Sequence, residues 1–581
     1  MGTILSRVKL NWKQVVSLMM LTLFAALATM MLPTMLATMI DNGVADGSIP
    51  TIYAIAVIMA VLALIGCLTN LAAAKLSAKV STKFAAELRE EIFNQVQDFS
   101  AAEMEKFGTG SLVTRSTSDV SNVQIFISML FRLGVMAPLM MCAGLVLSSA
   151  TGGKVSVVLN ISIPALILCV GIIILFVARY SVALRAKIDK LNTLFLETLE
   201  GLRVIRAFNR QEHEIARFDE ANADHARTTI ISGRFSGMLF PLIQVIFGVS
   251  TAAVMGLGSY YVFAGEMDVG ALVANSQYIS MILGAVMLLA FVIMIFPKSY
   301  ACAKRIAEVL NTEISIKDGT HSATERPLRS TVVFDHVTFA YPDAEKPMLK
   351  DISFETHPGE ITAIIGRTGC GKSSVLKLIP RLYDPLFGHI YVDGMDIKKY
   401  RLNELRDMVG YIPQKNVLFS GDIASNLNFG NEKGNERDWH NAAEIACARE
   451  FIEEKAGTYH AEIAQGGTNL SGGQRQRMAI ARAIMKKPEI YLFDDSFSAL
   501  DMKTDRELQK KLKASIGDAT MIIVAQRVSS ILDADRILVM EDGCIVGTGT
   551  HKELLHSCKL YREIAELQLG EEVVRSEIEC V

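Results

Sequence analysis

Six apolar stretches, at residues 15–40, 52–76, 126–150, 155–179, 237–263 and 271–297, each reach the length of about 20 residues that crossing a bilayer requires. Few folds are open to such a chain. Hydrocarbon supplies no partner for a backbone N–H or C=O, so each stretch is expected as a helix that pairs its own amides. The composition agrees, with 51% hydrophobic residues in 581, too long a chain for one compact domain. After Pro297 no comparable run follows. The polar, turn-rich KDGTHSATERPLRS then separates a membrane half from an ordinary mixture of strand-like and helix-like segments. The expected domains are residues 1–315, a linker 316–330, a second domain 331–570 and a tail 571–581.

Charge limits the partners. With 58 basic and 61 acidic residues the chain has no polyanion-binding signal, and nucleic acid is not expected. Nine cysteines, from Cys67 to Cys580, show neither CxxC nor Cys/His spacing, so no disulfide framework or zinc site is indicated. The first apolar run is too long for a signal peptide, and MGTILS matches a myristoylation pattern that six spans make superfluous.

The short connections 41–50, 151–154 and 264–268 hold only Lys154, whereas 75–115 and 179–234 are rich in Lys and Arg. The basic connections are expected in the cytoplasm, with the C-terminal half. Helical periodicity continues from the spans through both, marked by Leu191, Leu194, Phe195, Leu199, Val204 and Ile205 in the second.

GRTGCGKS, from Gly366 to Ser373, follows the strand-like ITAIIG and opens the helix-like SVLKLIPRLY. A glycine loop in that position lets backbone N–H groups close around phosphate at a helix N-terminus. Gly366, Gly369, Gly371, Lys372, Ser373 and Ser374 are expected to hold the nucleotide. Lys372 would reach the β- and γ-phosphates and Ser373 would offer its hydroxyl to magnesium. Asp494, ending the apolar run IYLF, is the expected second magnesium ligand.

LSGGQ at Leu470 to Gln474 runs directly into RQRMAIARAI. Together these motifs resemble those of the ATP-binding cassette (ABC) exporter family, in a half-transporter fusing one membrane domain to one cassette. The resemblance covers essentially the whole chain. It implies a six-helix, all-α transmembrane domain followed by a cytosolic α/β P-loop ATPase with a helical subdomain, in the plasma membrane. It also implies ATP and Mg2+ as ligands and a second half-transporter whose ATP is covered by Ser471, Gly472, Gly473 and Gln474. Tyr341 in FAYP matches the adenine-stacking aromatic. Gln414 in YIPQ matches the glutamine that senses magnesium, and Asp501 in SALD matches the loop linking the two sites. FGTGSLVTRSTSDV (107–120) and EGLRVIRAFNRQEHEIARF (200–218) resemble the cytoplasmic loops whose short transverse helices dock on cassettes.

Two positions depart from the family pattern together. Efficient members carry glutamate after the magnesium-binding aspartate and histidine in a later switch loop; here stand Asp495 and Gln526. The shorter arm withdraws the carboxylate, and misplacement by about 1 Å can cost roughly a hundredfold in rate. Glutamine donates a hydrogen bond but takes up no proton at neutral pH. Gln465 also replaces a commonly acidic residue. With phosphate loop and LSGGQ intact, the expectation is a chain that binds ATP, hydrolyses it slowly and completes the site of a non-identical partner.

Methionines crowd the spans and suit a cavity for amphipathic small molecules, drugs or lipids, though they serve equally as filler. Asn160, Gln244, Asn275, Gln277 and Arg132 are the polar candidates there. Peptide export, import on an exporter-type fold and a mainly regulatory ATP-binding subunit are the competing readings. Cys370, inside the phosphate loop, is expected to be a reactive thiol shielded by ATP, provided it is exposed.

Overall fold

The computed structural model describes residues 4, 7, 11–342 and 344–579. MGTILS, apart from Ile4, and Cys580 lie outside them. The chain divides into two compact units, residues 1–97 with 109–312, and residues 98–108 with 313–581.

Among the described residues, the first unit holds six helices long and apolar enough to cross a membrane: Trp12–Ala45, Ile49–Gln97, Thr109–Thr151, Gly153–Glu200, Gln211–Phe263 and Val269–Leu310. They outrun the apolar stretches, the fifth reaching 53 residues. At 1.5 Å per residue that is about 80 Å, far beyond the roughly 30 Å of hydrocarbon. The expected helical extensions are therefore present.

Close approach between these helices depends on small residues and shared hydrogen bonds. A Cβ on Gly258 would stand 2.2 Å from the Leu272 side chain, and one on Gly144 2.7 Å from Ile282. Tyr278, fully buried, shares a 2.5 Å hydrogen bond with Thr34. Asn275, also fully buried, accepts from Ser148 Oγ at 2.5 Å and donates to Ala271 O at 2.8 Å. It joins helices rather than lining a cavity. Gln244 does line one, a recess of about 230 Å³ with Phe240, Phe247, Ser280 and Met287. Asn160 is exposed, and Arg132 donates to Asn70 Oδ1 at 3.3 Å while its buried Nε has no protein partner among the described residues.

The first cytoplasmic loop differs from expectation. Its short helix is Ala101–Phe107, capped by Ser100 with Glu103 and stopped at Gly108 (φ 71°). Residues 109–119 instead begin the third long helix, with a π turn at Arg115–Asp119. Residues 98–108 cluster with the second unit, where Tyr383 donates to Glu105 Oε1 at 2.9 Å and Ser315 N–H to Glu103 Oε1 at 3.2 Å. In the second loop the short helix is Leu202–Ala207, which buries none of its residues. Of the apolar positions that marked this extension, Leu194 is buried while Phe195, Leu199 and Val204 are exposed.

The second unit is α/β. Its strands are β1 Val332–Phe339, β2 Leu349–Thr356, β3 Ile361–Gly366, β4 Phe387–Val392, β5 Met395–Asp396, β6 Val409–Ile412, β7 Gly421–Asp422, β8 Glu462–Ile463, β9 Ile490–Asp494, β10 Thr520–Val524, β11 Arg536–Glu541 and β12 Cys544–Gly549. The principal sheet runs β12-β11-β3-β10-β9-β6, with β12 antiparallel at its edge and the rest parallel. A parallel sheet covered on both faces needs strands apolar throughout, and every residue of β9 and β10 is buried. Val524 pairs with both Asp494 and Ile364, which brings the C-terminal ends of β3, β10 and β9 to one edge. A second sheet, β2-β1-β4-β5, is antiparallel, and helices between Ile423 and Lys486 form the helical portion.

Residues 571–579, expected as a tail, form the helix Glu571–Glu579. Val574 is fully buried, and Glu577 bonds to Nε2 of the buried His551 at 2.9 Å.

Candidate nucleotide site

At the edge where β3, β10 and β9 end lies a cleft of about 250 Å³, lined by Tyr341, Gly369, Lys372, Ser373, Ser374, Gln414, Asp495 and Gln526. The glycines are needed where the loop is tightest. A Cβ on Gly366 would meet Met540 O at 2.1 Å, and Gly371 has φ 102° with the Leu349 side chain 2.7 Å from its would-be Cβ. The helix Lys372–Leu378 begins directly after Gly371. Lys372 Nζ donates to Gly366 O at 2.8 Å and Arg367 O at 3.0 Å.

Ser373 Oγ donates to Asp494 Oδ1 at 2.6 Å, and Tyr411 donates to Asp494 Oδ2 at 3.2 Å. A hydroxyl and a carboxylate side by side suit magnesium, which takes one or two protein oxygens and keeps water or phosphate in its other positions. Ser373 and Asp494 are thus the fitting protein ligands. Gln414, expected with them, lines the same cleft and donates its amide N–H to Asp495 Oδ2 at 3.2 Å, which leaves its amide oxygen unengaged by that bond.

Asp495 is 8% exposed and sits at φ 51°, a conformation that aspartate tolerates better than most residues. Gln526 Nε2 donates to the same Oδ2 at 2.8 Å. Burial pushes the Asp495 carboxyl above the usual carboxylate range, against hydrogen bonds from Gln414 and Ser498; the Asp494 charge adds to the rise and Lys372 opposes it. Asp495 and Gln526 therefore meet as a hydrogen-bonded pair.

Tyr341 rests edge-on against Phe339 and Tyr383, with ring centroids 4.9 and 5.2 Å away, and its hydroxyl bonds to Ser374 Oγ at 3.0 Å. Cys370 departs from expectation. It is only 5% exposed, packed among apolar residues, so the exposure that its reactivity required is missing.

The signature residues do not line this cleft. Ser471 caps the helix Gly472–Lys486: its Oγ accepts from Gln474 N–H at 3.3 Å and its own N–H donates to Gln474 Oε1 at 3.0 Å. A Cβ on Gly472 would meet nothing within 4 Å, and Gly473 faces Ala499 O. Asp501 caps the helix Met502–Ser515 through Thr504 and is likewise outside the cleft.

Residues 15–286 match the family of ABC transporter transmembrane regions, and residues 349–498 match the ABC transporter family. An uncharacterized ABC transporter ATP-binding protein of Mycobacterium tuberculosis is 36% identical over 95% of this chain and 96% of its own length. The chain belongs to the ABC transporter family. YfiB of Bacillus subtilis, also uncharacterized, is 36% identical to the transporter over 94% of each chain. A Staphylococcus aureus ATP-binding/permease protein whose name provisionally assigns it to multidrug export is 30% identical over 83% of each chain. A solved bacterial Atm1-family ABC exporter with ATP bound is similar with a TM-score of 0.80 and 25% identity, covering 96% of the transporter and 98% of that chain. The transporter is thus an exporter-type half, a multi-pass membrane protein with a cytosolic ATPase domain.

Two residues at the site escaped the sequence reading. Tyr411 stands in YIPQ, three residues before Gln414, but an aromatic in a strand reads as core. Gln476, 2% exposed, donates to Asp495 O at 3.3 Å from within the helix that follows LSGGQ.

Proposed function

We propose that the chain is one half of a heterodimeric ATP-driven exporter of amphipathic small molecules, drugs or lipids. Its own site binds ATP and hydrolyses it slowly, and its signature motif completes the site on a different partner. The observation that carries this reading is the Asp495 carboxylate held by two amides, Gln414 and Gln526, on one oxygen. Neither amide accepts a proton at neutral pH, so a water activated by Asp495 has no further proton relay among these side chains.

In this reading the backbone amides after Gly366 and the Lys372 ammonium bind the phosphates, and Tyr341 orients the base. Ser373 and Asp494 would hold a magnesium ion, which would supply neutralisation of phosphate charge when bound. Gln526 donates a hydrogen bond at the γ-phosphate end without taking up a proton. Ser471, Gly472, Gly473 and Gln474, at a capped helix N-terminus outside the cleft, and Asp501 beside them serve the nucleotide of the partner. The exposed Leu202, Val204 and Phe208 of the second cytoplasmic loop give the partner cassette an apolar docking surface. Gln244 and the recess around it belong to the cargo pathway.

The test is nucleotide trapping with radiolabelled azido-ATP on the transporter co-purified with the product of its neighbouring reading frame. The label on this chain is expected to remain triphosphate while the partner carries diphosphate. Equal diphosphate on both chains, or brisk turnover by this chain as a homodimer, overturns the reading.

A further inference from the structure

The helix Lys559–Leu569 reaches the nucleotide site through one side chain. Gln568 Oε1 accepts from Val528 N–H at 2.7 Å, and Gln568 Nε2 donates to Gln526 O at 2.8 Å. A single amide thus pairs with the backbone on both sides of Arg527, as a neighbouring strand would. The Gln526 side chain, fixed at its root by that pairing, donates to Asp495. The helix itself is anchored: Tyr561 and Ala565 are fully buried, and the Tyr561 hydroxyl bonds to His551 Nδ1 at 2.7 Å. Glu563, on the same helix, lies 3.8 Å from the guanidinium of Arg367 in the phosphate loop. Both of those groups are well exposed, so the contact adds little hold.

We propose that Gln568 is a positioning residue for the nucleotide site. It holds the switch-loop backbone so that the Gln526 amide stays on Asp495, and thereby makes the helix Lys559–Leu569 a brace on the γ-phosphate end of the cleft. Gln568 touches no nucleotide and acts only through Gln526. The inference rests on the reading of this cleft as an ATP site.

The test uses the full transporter with its partner in lipid nanodiscs and two variants. Gln568→Met keeps the length and removes both hydrogen bonds; Gln568→Glu keeps the acceptor for Val528 N–H and loses the donor. Hydrogen exchange across residues 526–530 and release of trapped azido-ATP from this chain are measured, each with and without Gln526→Ala. Gln568→Met is expected to accelerate exchange at Val528 and to speed ATP release about fivefold, with Gln568→Glu between it and the wild type. With Gln526→Ala present, Gln568→Met should add less than about twofold, because the group it positions is gone. Unchanged exchange, or an equal effect of Gln568→Met on ATP release in both backgrounds, overturns the proposal. A wild-type chain that takes no label removes the site and the proposal together. A wild-type chain that turns ATP over quickly removes only the slow-site reading; the brace is then read as a lower kcat at unchanged KM in Gln568→Met.

Discussion

Gln526 donates its side-chain amide to Oδ2 of Asp495 at 2.8 Å, so two of the positions at which this chain departs from the family pattern are in contact. Changes in contact couple energetically. Restoring glutamate or histidine singly is therefore expected to recover little, whereas Asp495→Glu with Gln526→His should raise diphosphate formation on this chain on the order of tenfold or more. Azido-ATP trapping resolved by chain reads this directly, and a full gain from either single change would show that the positions act independently.

The signature should be more sensitive than the acid. Ser471→Ala and Gly472→Asp are expected to lower turnover of the assembled transporter on the order of tenfold, Asp495→Asn by less than about twofold, and Lys372→Ala by an intermediate amount. Gly472→Asp is the cleaner probe, because its Cβ has open space and an acid at a helix N-terminus favours the helix. Ser471→Ala also removes a cap worth about 1 kcal/mol, so assembly is checked alongside ATPase rate.

Cys370 should alkylate at least about tenfold more slowly than the half-buried Cys544, with or without ATP, since accessible thiolate sets the rate. Peptide mass spectrometry of the labelled transporter checks this. Rapid modification at Cys370 would place the phosphate loop in a more open conformation.

Arg326 donates to the fully buried Asp393 at 2.9 Å and pairs with Glu489 at 2.5 Å. Removing one partner of a buried pair leaves a charge without compensation, and Arg326→Gln should cost about 3–5 kcal/mol. Burial already pushes the Asp393 carboxyl above its ordinary value of 3.8, against the Thr331 N–H and Arg326. The folded state therefore binds that proton more tightly than the unfolded chain, and stability falls as pH rises from the ordinary carboxylate value through the raised one. The thermal-unfolding deficit of Arg326→Gln should accordingly be smaller near about pH 5 than near about pH 8.

Within the membrane unit, Asn275→Ala and Gln244→Leu should behave differently. Asn275 joins helices, and its loss should lower stability by about 1 kcal/mol without changing which compounds stimulate ATPase. Gln244 faces a recess, and its substitution should alter the stimulation profile while leaving thermal stability nearly unchanged. A drug panel with a melting assay separates the two.

Much of this was legible along the chain because the determinants are local. Apolar runs fix helices in lipid, and a glycine loop between strand and helix fixes a phosphate site. The first-loop helix was misplaced although its signal was present, Ser100 and Glu103 forming an S-x-x-E capping box with Gly108 as the stop. The pairing of Gln568 with residues 526 and 528 had no local signature, since it joins positions 42 and 40 apart. The burial of Cys370 likewise comes from a cluster that includes Leu349, Leu492, Ile522 and Met540, residues distant from it in sequence.

The association of residues 98–108 with the second unit also sets an order of events during synthesis. Glu105 leaves the ribosome long before Tyr383, which follows it by 278 residues. At roughly 5–20 residues per second that interval lasts about 15 to 55 s. For that time a capped helix of seven residues waits beside nascent membrane helices for a surface not yet made. A cassette expressed from residue 313 onward never receives it, so such a fragment begins folding with one piece of its own unit missing.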